Sequence, residues 1–369
     1  MFKDTLNQYS WEQTKESITT KTEADVRQAL SQKSHRTLED FKAMISPAAA
    51  PFLEEMARQS QALTLQRFGK TMQMYIPLYV SNECQNICTY CGFSLDNPLA
   101  RKTLSDEELI NEAKAIKKMG FEHVLLVSGE AQTHVGLDYF KRAFKLLRPF
   151  FAHLSIEVQP LEQKEYEELI QLGLHTVLIY QETYRRETYK SYHPKGKKSL
   201  FDYRLETPER LGQAGIYKMG LGCLIGLEDW RVDSFFTALH LNYLEKKFWK
   251  TRFSLSFPRL RPFTGSFEPN VIMEDKELVQ LICAYRLFNQ DLELSLSTRE
   301  SQYFRDHVMG LGITSVSAGS QTAPGGYSKP DEALEQFEIS DERSPQQMSQ
   351  VLQKMGYESV WKDWDVVLS

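Results

Sequence analysis

The sequence has no excess of positive charge: 44 Lys and Arg stand against 49 Asp and Glu, a formal net charge of -5. A chain built to neutralise many phosphates carries a cationic face, so nucleic acid is excluded as the expected main partner, and a small molecule or another protein takes its place. No apolar run approaches the roughly 18 residues needed to cross a bilayer, which argues against a membrane protein. The first residues, Met1-Phe2-Lys3-Asp4-Thr5-Leu6, lack the apolar stretch of a signal peptide, so the expected compartment is cytoplasmic. Cysteine is scarce. Five in 369 residues are too few, and odd in number, for a disulfide scaffold. What is plentiful is core material: 41% hydrophobic and 25% charged residues describe a globular chain of one large or two medium domains.

Residues 1–70 read as a helical segment. Thr22-x-x-Asp25 and Thr37-x-x-Asp40 are capping boxes, the second ahead of an apolar Phe41, Met44, Ile45 face, and Pro47 and Pro51 interrupt the pattern before it resumes over 52–68. From Met74 onward, short strand-like runs alternate with amphipathic helical stretches, the signature of βα units on a parallel sheet. The runs fall at 74–80, 123–128, 154–159, 176–180, 218–224, 251–257, 292–297 and 315–317, with helices at 106–119, 162–172, 231–247 and 275–289 among them. Eight units over about 250 residues is the size of a (β/α)8 TIM-type barrel, expected over 71–320. Residues 321–369 are left as a short C-terminal extension packed on the barrel, with a helix at 346–355.

Three of the strands alternate instead of running apolar. Ser155, Glu157 and Gln159 oppose Leu154, Ile156 and Val158; Ser254 and Ser256 oppose Phe253, Leu255 and Phe257; Ser295, Ser297 and Arg299 oppose Leu294 and Leu296. The outer helices need the apolar set, so the polar set is expected to line a lumen that holds a polar ligand. The alternative is a one-residue error in register.

Three cysteines, Cys84, Cys88 and Cys91, crowd into eight positions directly after the first strand, at the end of the barrel where such folds keep their chemistry. The spacing C-x3-C-x2-C suits a 4Fe-4S cluster in which three irons take a thiolate each and the fourth has no protein ligand. Structural zinc wants four ligands, usually as two pairs, and Cys223 and Cys283 lie far off in unpaired positions that suit small buried hydrophobes. Gly92 and Asn97-Pro98 suit a tight turn around a cluster.

The triplet Cys84-x3-Cys88-x-Tyr90-Cys91-Gly92-Phe93 resembles that of the radical S-adenosylmethionine (SAM) enzymes. With Tyr180-Gln181-Glu182-Thr183-Tyr184, the run from Ser254 to Pro262, Leu296-Ser297-Thr298-Arg299-Glu300 and Val360-Trp361-Lys362-Asp363-Trp364-Asp365, the chain is similar to the tyrosine lyases of thiamine biosynthesis. The resemblance implies a lyase that cuts the Cα–Cβ bond of L-tyrosine to 2-iminoacetate (dehydroglycine) and p-cresol. It also implies a 4Fe-4S cluster and SAM as cofactors, a flavodoxin-type electron donor, and a thiazole synthase subunit that consumes the unstable imine.

By the same resemblance Tyr90 lies near the adenine, though its ring can equally pack beneath the loop. Ser128-Gly129-Glu130 stands for the element that holds the methionine amino group. Glu182 and Arg204 contact the ribose or the methionine moiety, or else form a structural ion pair. Leu224 and Gly226 belong to an adenine-contact strand. For substrate, Arg299 is the expected carboxylate partner, assisted by Ser317 and Ser320; its alternative is a surface pair with Glu300. The run from His193 to Lys198 reads as a solvated basic loop. Rival functions are the tyrosine lyase of hydrogenase maturation and biotin-synthase-like sulfur insertion, each of which needs a second cluster, a tryptophan lyase, and a non-catalytic iron-sulfur or zinc scaffold. No cysteine follows Cys283 to serve a second cluster.

Overall fold

The structure is a computed structural model that describes residues 1–33, 35–263, 266–329 and 335–362. Both N-terminal capping boxes form. The Asp25 N–H donates to Thr22 Oγ1 at 3.4 Å while the Thr22 N–H donates to Asp25 at 2.7 Å, opening helix α3 (Glu23–Ser31). The same exchange between Thr37 and Asp40 opens α4 (Leu38–Ile45). Two shorter helices, α1 (Phe2–Leu6) and α2 (Trp11–Thr19), precede them. A 3-10 turn at Pro47–Phe52, where proline denies the backbone its helical donors, leads into α5 (Leu53–Phe68). The apolar face of α4 packs on a later helix, residues Asp275–Phe288, with the Phe41 ring 4.8 Å from that of Tyr285. There the Gln280 side chain donates to the otherwise orphaned carbonyls of Met44 and Ser46 at 2.8 and 2.9 Å.

Ten parallel strands make one sheet: β1 (Thr71–Tyr75), β2 (Pro77–Ser81), β3 (His123–Ser128), β4 (His153–Glu157), β5 (Leu174–Leu178), β6 (Lys218–Leu221), β7 (Arg252–Ser256), β8 (Glu293–Leu296), β9 (Ser315–Ser317) and β10 (Glu358–Val360). Their order is β10-β1-β9-β8-β7-β6-β5-β4-β3-β2. Apart from β10, the two ends of that order are one run of chain: β1 and β2 are separated only by Ile76, whose carbonyl accepts from the Leu125 N–H of β3 at 3.0 Å. The sheet therefore curls back on itself as a (β/α)8-type barrel whose first strand is split, its first half paired with β9 and its second with β3. All eight expected strands are present within a few residues of their expected ends. β10 has no expected counterpart; three residues long, it adds to the outer side of β1.

Helices cover the outside, and the apolar phase of each strand packs on them. The polar phase faces inward for Glu157, Ser256, Ser295, Ser297 and Arg299. Gln159 departs from this expectation. β4 ends at Glu157, the alternation ends with it, and Val158 takes the lumen wall while the Gln159 amide donates to the Val135 carbonyl. The final run of the sequence resemblance is partly described: Trp361 packs edge-on to Phe121 at 5.2 Å, while Asp363, Trp364 and Asp365 lie outside the described residues.

Candidate active site

The loop after β2 carries the three thiols to the mouth of the barrel. Its shape is set by backbone bonds to side chains. The Cys88 N–H donates to Ser94 Oγ at 3.0 Å, the Asn97 amide donates to the carbonyls of Cys91 and Gly92 at 3.1 and 2.9 Å, and Arg101 donates to the carbonyls of Asn82, Phe93 and Ser94. Neighbouring segments press close. A Cβ on Gly129 would sit 2.2 Å from the Glu83 carbonyl oxygen, and one on Gly92 2.3 Å from that of Gln336. None of the thiols is in a disulfide. Burial pushes the Cys84 thiol up to about 11 and raises Cys88 as well, opposed in the second case by the Lys198 ammonium. Such thiols ionise when a metal takes the place of the proton. Among the described residues no three His, Cys, Asp or Glu side chains are arranged to hold one ion.

Beside the loop lies a buried charge network. Arg204 donates to Glu130 at 2.8 Å and to the Tyr180 carbonyl at 2.6 Å, and lies 3.5 Å from Glu182; Lys198 pairs with the same Glu182 oxygen at 2.8 Å. Glu130 also accepts from the Asn86 amide at 2.8 Å. Burial opposes the charge on Glu130, but Arg204, Lys198 and Asn86 outweigh it and hold the carboxyl below its usual range. Glu182 has φ of +70°, a left-handed conformation that costs a non-glycine residue about 1–3 kcal/mol and that clusters at functional sites. The sequence reading of His193 to Lys198 as a solvated loop holds for its middle, where Pro194, Lys195 and Lys197 are exposed, and fails at its ends. His193 is fully buried and within 2.7 Å of the Tyr90 hydroxyl, the Lys195 carbonyl accepts from Ile87, and Lys198 lines the cavity. A run of three lysines looks solvated by composition; what buries its ends is the cluster loop packed upon it.

These groups line one cavity of about 210 Å³ together with Ser128, Gly129, Leu224, Arg299, Ser317 and Ser320. Ser128 Oγ and Ser320 Oγ are buried without hydrogen-bond partners among the described residues, as groups awaiting a polar ligand would be. Tyr90 both lines the cavity and packs with Tyr192, Leu224 and Leu227. Gly226, at φ of +122°, turns the chain behind Leu260 and is not part of the lining. Arg299 does not pair with Glu300; its guanidinium lies 3.4 Å from the centre of the Phe337 ring and borders the cavity. Phe337 and Gln336 come from the C-terminal extension, with Gln336 accepting from the Tyr79 hydroxyl at 2.9 Å and lying 3.6 Å from Cys91 Sγ. Neither had a signal in the sequence, since both are ordinary residues of a polar stretch.

Residues 78–239 match the Radical SAM superfamily model, and residues 256–358 match that of the Biotin and Thiamin Synthesis associated domain. With a split parallel barrel, a thiol triplet on its first loop and a polar cavity beside it, the chain is a radical SAM enzyme, a class that works with a 4Fe-4S cluster and SAM. The 2-iminoacetate synthase of Escherichia coli (strain K12) is 53% identical over 368 residues, covering 100% of this chain and 97% of the relative. That of Salmonella typhimurium is 52% identical over 365 residues, 99% of this chain and 97% of the relative. The chain belongs to the 2-iminoacetate synthase family. Among solved structures, the FeFe-hydrogenase maturase HydG from Carboxydothermus hydrogenoformans superposes with a TM-score of 0.90 at 29% identity, covering 98% of this chain and 86% of that one. Methylornithine synthase (PylB), at 19% identity, TM-score 0.69 and coverage of 94% and 97%, shares the fold.

Proposed function

We propose that the cavity is the site at which L-tyrosine is cleaved between Cα and Cβ to 2-iminoacetate and p-cresol, the step that feeds thiazole formation in thiamine biosynthesis. The observation that carries this reading is full-length identity above 50% to 2-iminoacetate synthases, joined to a barrel lumen lined by a guanidinium. When bound, the reduced cluster and SAM supply a 5'-deoxyadenosyl radical that takes a hydrogen atom from the tyrosine amino group.

Cys84, Cys88 and Cys91 hold the cluster. Ser128, Gly129 and Glu130 receive the methionine amino group, and Glu182 and Arg204, already crosslinked by charge, close around the rest of that moiety. Tyr90 and Leu224 form the adenine side, and Gly226 turns the chain behind them. Arg299 takes the substrate carboxylate, Ser320 offers its unpartnered hydroxyl, and Ser317, whose Oγ accepts from the Thr298 N–H at 3.1 Å, fixes the turn that carries Arg299. In a buried mouth an arginine fork binds a carboxylate bidentately, which sets orientation as well as affinity.

The reading extends to a cytoplasmic enzyme reduced by a flavodoxin-type donor and docked to a thiazole synthase subunit. Among the described residues no helix is long and apolar enough to cross a membrane. The test is anaerobic reconstitution with iron and sulfide, then reduction in the presence of SAM and L-tyrosine. 5'-Deoxyadenosine and p-cresol are expected together. Cofactor cleavage without p-cresol rules out the substrate, and no cleavage by a loaded enzyme rules out the radical chemistry.

A further inference from the structure

Arg299 accounts for one end of an amino acid. The opposite wall of the lumen holds a second group for which the structure shows no internal use. β4 stands four positions round the barrel from β8, so Glu157, the last residue of β4, faces across the cavity toward the strand that leads into Arg299. Val127 stands beside it on β3, and Tyr79, Leu125, Leu178 and Tyr180 line the same cavity. No described residue donates a hydrogen bond to its carboxyl or forms an ion pair with it.

The hydroxyls nearby make other contacts. Tyr79 donates to Gln336 at 2.9 Å, and Tyr75 accepts from Ser295 at 3.1 Å. Desolvation pushes the Glu157 carboxyl up to about 7; Arg299, Lys198 and Arg204 oppose that rise and Glu182 adds to it. A carboxyl kept in an apolar wall with no donor of its own is costly to the fold and is satisfied only by a donor that arrives with the ligand.

We propose that Glu157 is the specificity-determining residue that accepts the hydrogen bond of the substrate's phenolic hydroxyl, so that the ring spans the lumen between Arg299 at the carboxylate end and Glu157 at the far end. This rests on the tyrosine lyase reading. It accounts for the choice of a hydroxylated ring over a bare one, because without the hydroxyl the carboxyl stays desolvated and unbonded when the lumen fills. Sites that hydrogen-bond a substrate hydroxyl reject the analogue lacking it strongly, for this reason.

The test compares the cluster-loaded wild type with Glu157→Leu and Glu157→Gln, all with SAM bound. Kd is measured for L-tyrosine and L-phenylalanine by equilibrium dialysis, and 5'-deoxyadenosine and p-cresol are assayed in parallel. Wild type is expected to prefer tyrosine. Glu157→Leu, close in volume to its Leu178 and Val127 neighbours, should weaken tyrosine binding by roughly 10- to 100-fold, the worth of one hydrogen bond to a charged group. Its phenylalanine Kd should be unchanged or lower. Glu157→Gln, which keeps an acceptor, should recover most of the preference.

A Glu157→Leu enzyme that keeps the wild-type preference overturns the proposal. So does one that loses both amino acids equally, since that marks a contact with the shared amino-acid end or a structural role. These outcomes are distinct from failure of the underlying reading, in which wild type itself makes 5'-deoxyadenosine and no p-cresol; that result overturns both.

Discussion

Arg299 and Glu300 are adjacent in the chain and turn to opposite partners. Glu300, 1% exposed, is clasped by Arg259 at 3.0 Å through Nε and by Arg261 at 3.0 Å, while Arg299 lies on Phe337 at the cavity wall. Two different losses follow. Glu300→Gln breaks a buried ion-pair network and should cost about 3 kcal/mol or more in urea unfolding. Arg299→Lys should leave the unfolding curve within about 0.5 kcal/mol of wild type, as for a substitution outside such features. Its kcat/KM for tyrosine should fall, because a point charge cannot replace a planar fork.

The Glu130–Arg204 pair predicts a pH signature. Arg204 and its companions hold the Glu130 carboxyl below its unfolded value, so the stabilisation is present above the ordinary carboxylate range and is lost as pH falls through the depressed folded value. Arg204→Met leaves two buried carboxylates with one lysine. Unfolding free energy should drop by about 3–5 kcal/mol near neutral pH. The gap from wild type should narrow in acid, where Glu130 takes up a proton; a gap of constant size at all pH values would contradict the assignment.

Buried His123 and His240 and half-buried His175 give a second, separate pH dependence. Burial pushes His123 down to about 3, His175 to about 2 and His240 to about 3. All three gain protons in the unfolded chain below about pH 6.5. Stability should therefore be full above that pH and decline below it, by up to about 1.4 kcal/mol per pH unit for each histidine. His175→Gln should remove one proton from the slope, as read from denaturant midpoints across the acid range.

Gly129→Ala tests the approach of β3 to the cluster loop. The added methyl would meet the Glu83 carbonyl oxygen at 2.2 Å and the Cys84 Cβ at 3.3 Å. Overpacking of this kind costs about 1–3 kcal/mol. The strain falls on the loop that carries Cys84, so iron retained per chain after desalting should fall while far-UV circular dichroism stays that of wild type.

Phe337→Ala removes the surface on which the Arg299 guanidinium lies. A cation–π contact of about 0.5–2 kcal/mol translates to a rise in KM for tyrosine of roughly 3- to 30-fold, with kcat less affected. An unchanged KM would show that Arg299 is positioned without the C-terminal extension.

The barrel was legible because its signals are local. A capping box needs four residues, and a strand shows its phase within five. The cysteine triplet announces itself by spacing alone. Lys198, Gln336 and Phe337 escaped because each acquires its place through a contact far outside any local window: Lys198 under the cluster loop, Gln336 on Tyr79, Phe337 on Arg299. Gln159 escaped for the opposite reason. Alternation read along a strand does not show where the strand ends, and one residue past Glu157 the pleat no longer dictates the face.

The split at Ile76 leaves β2 with β3 on one side only, and the open flank is closed by the return of the cluster loop. There the Leu104 N–H donates to the Val80 carbonyl at 2.9 Å, and the Asn82 N–H donates to the Lys102 carbonyl at 3.1 Å. The stretch of chain that carries the three cysteines is thus also the stitch along the barrel's seam. A change that unseats this loop therefore disturbs the thiol triplet and the barrel wall together.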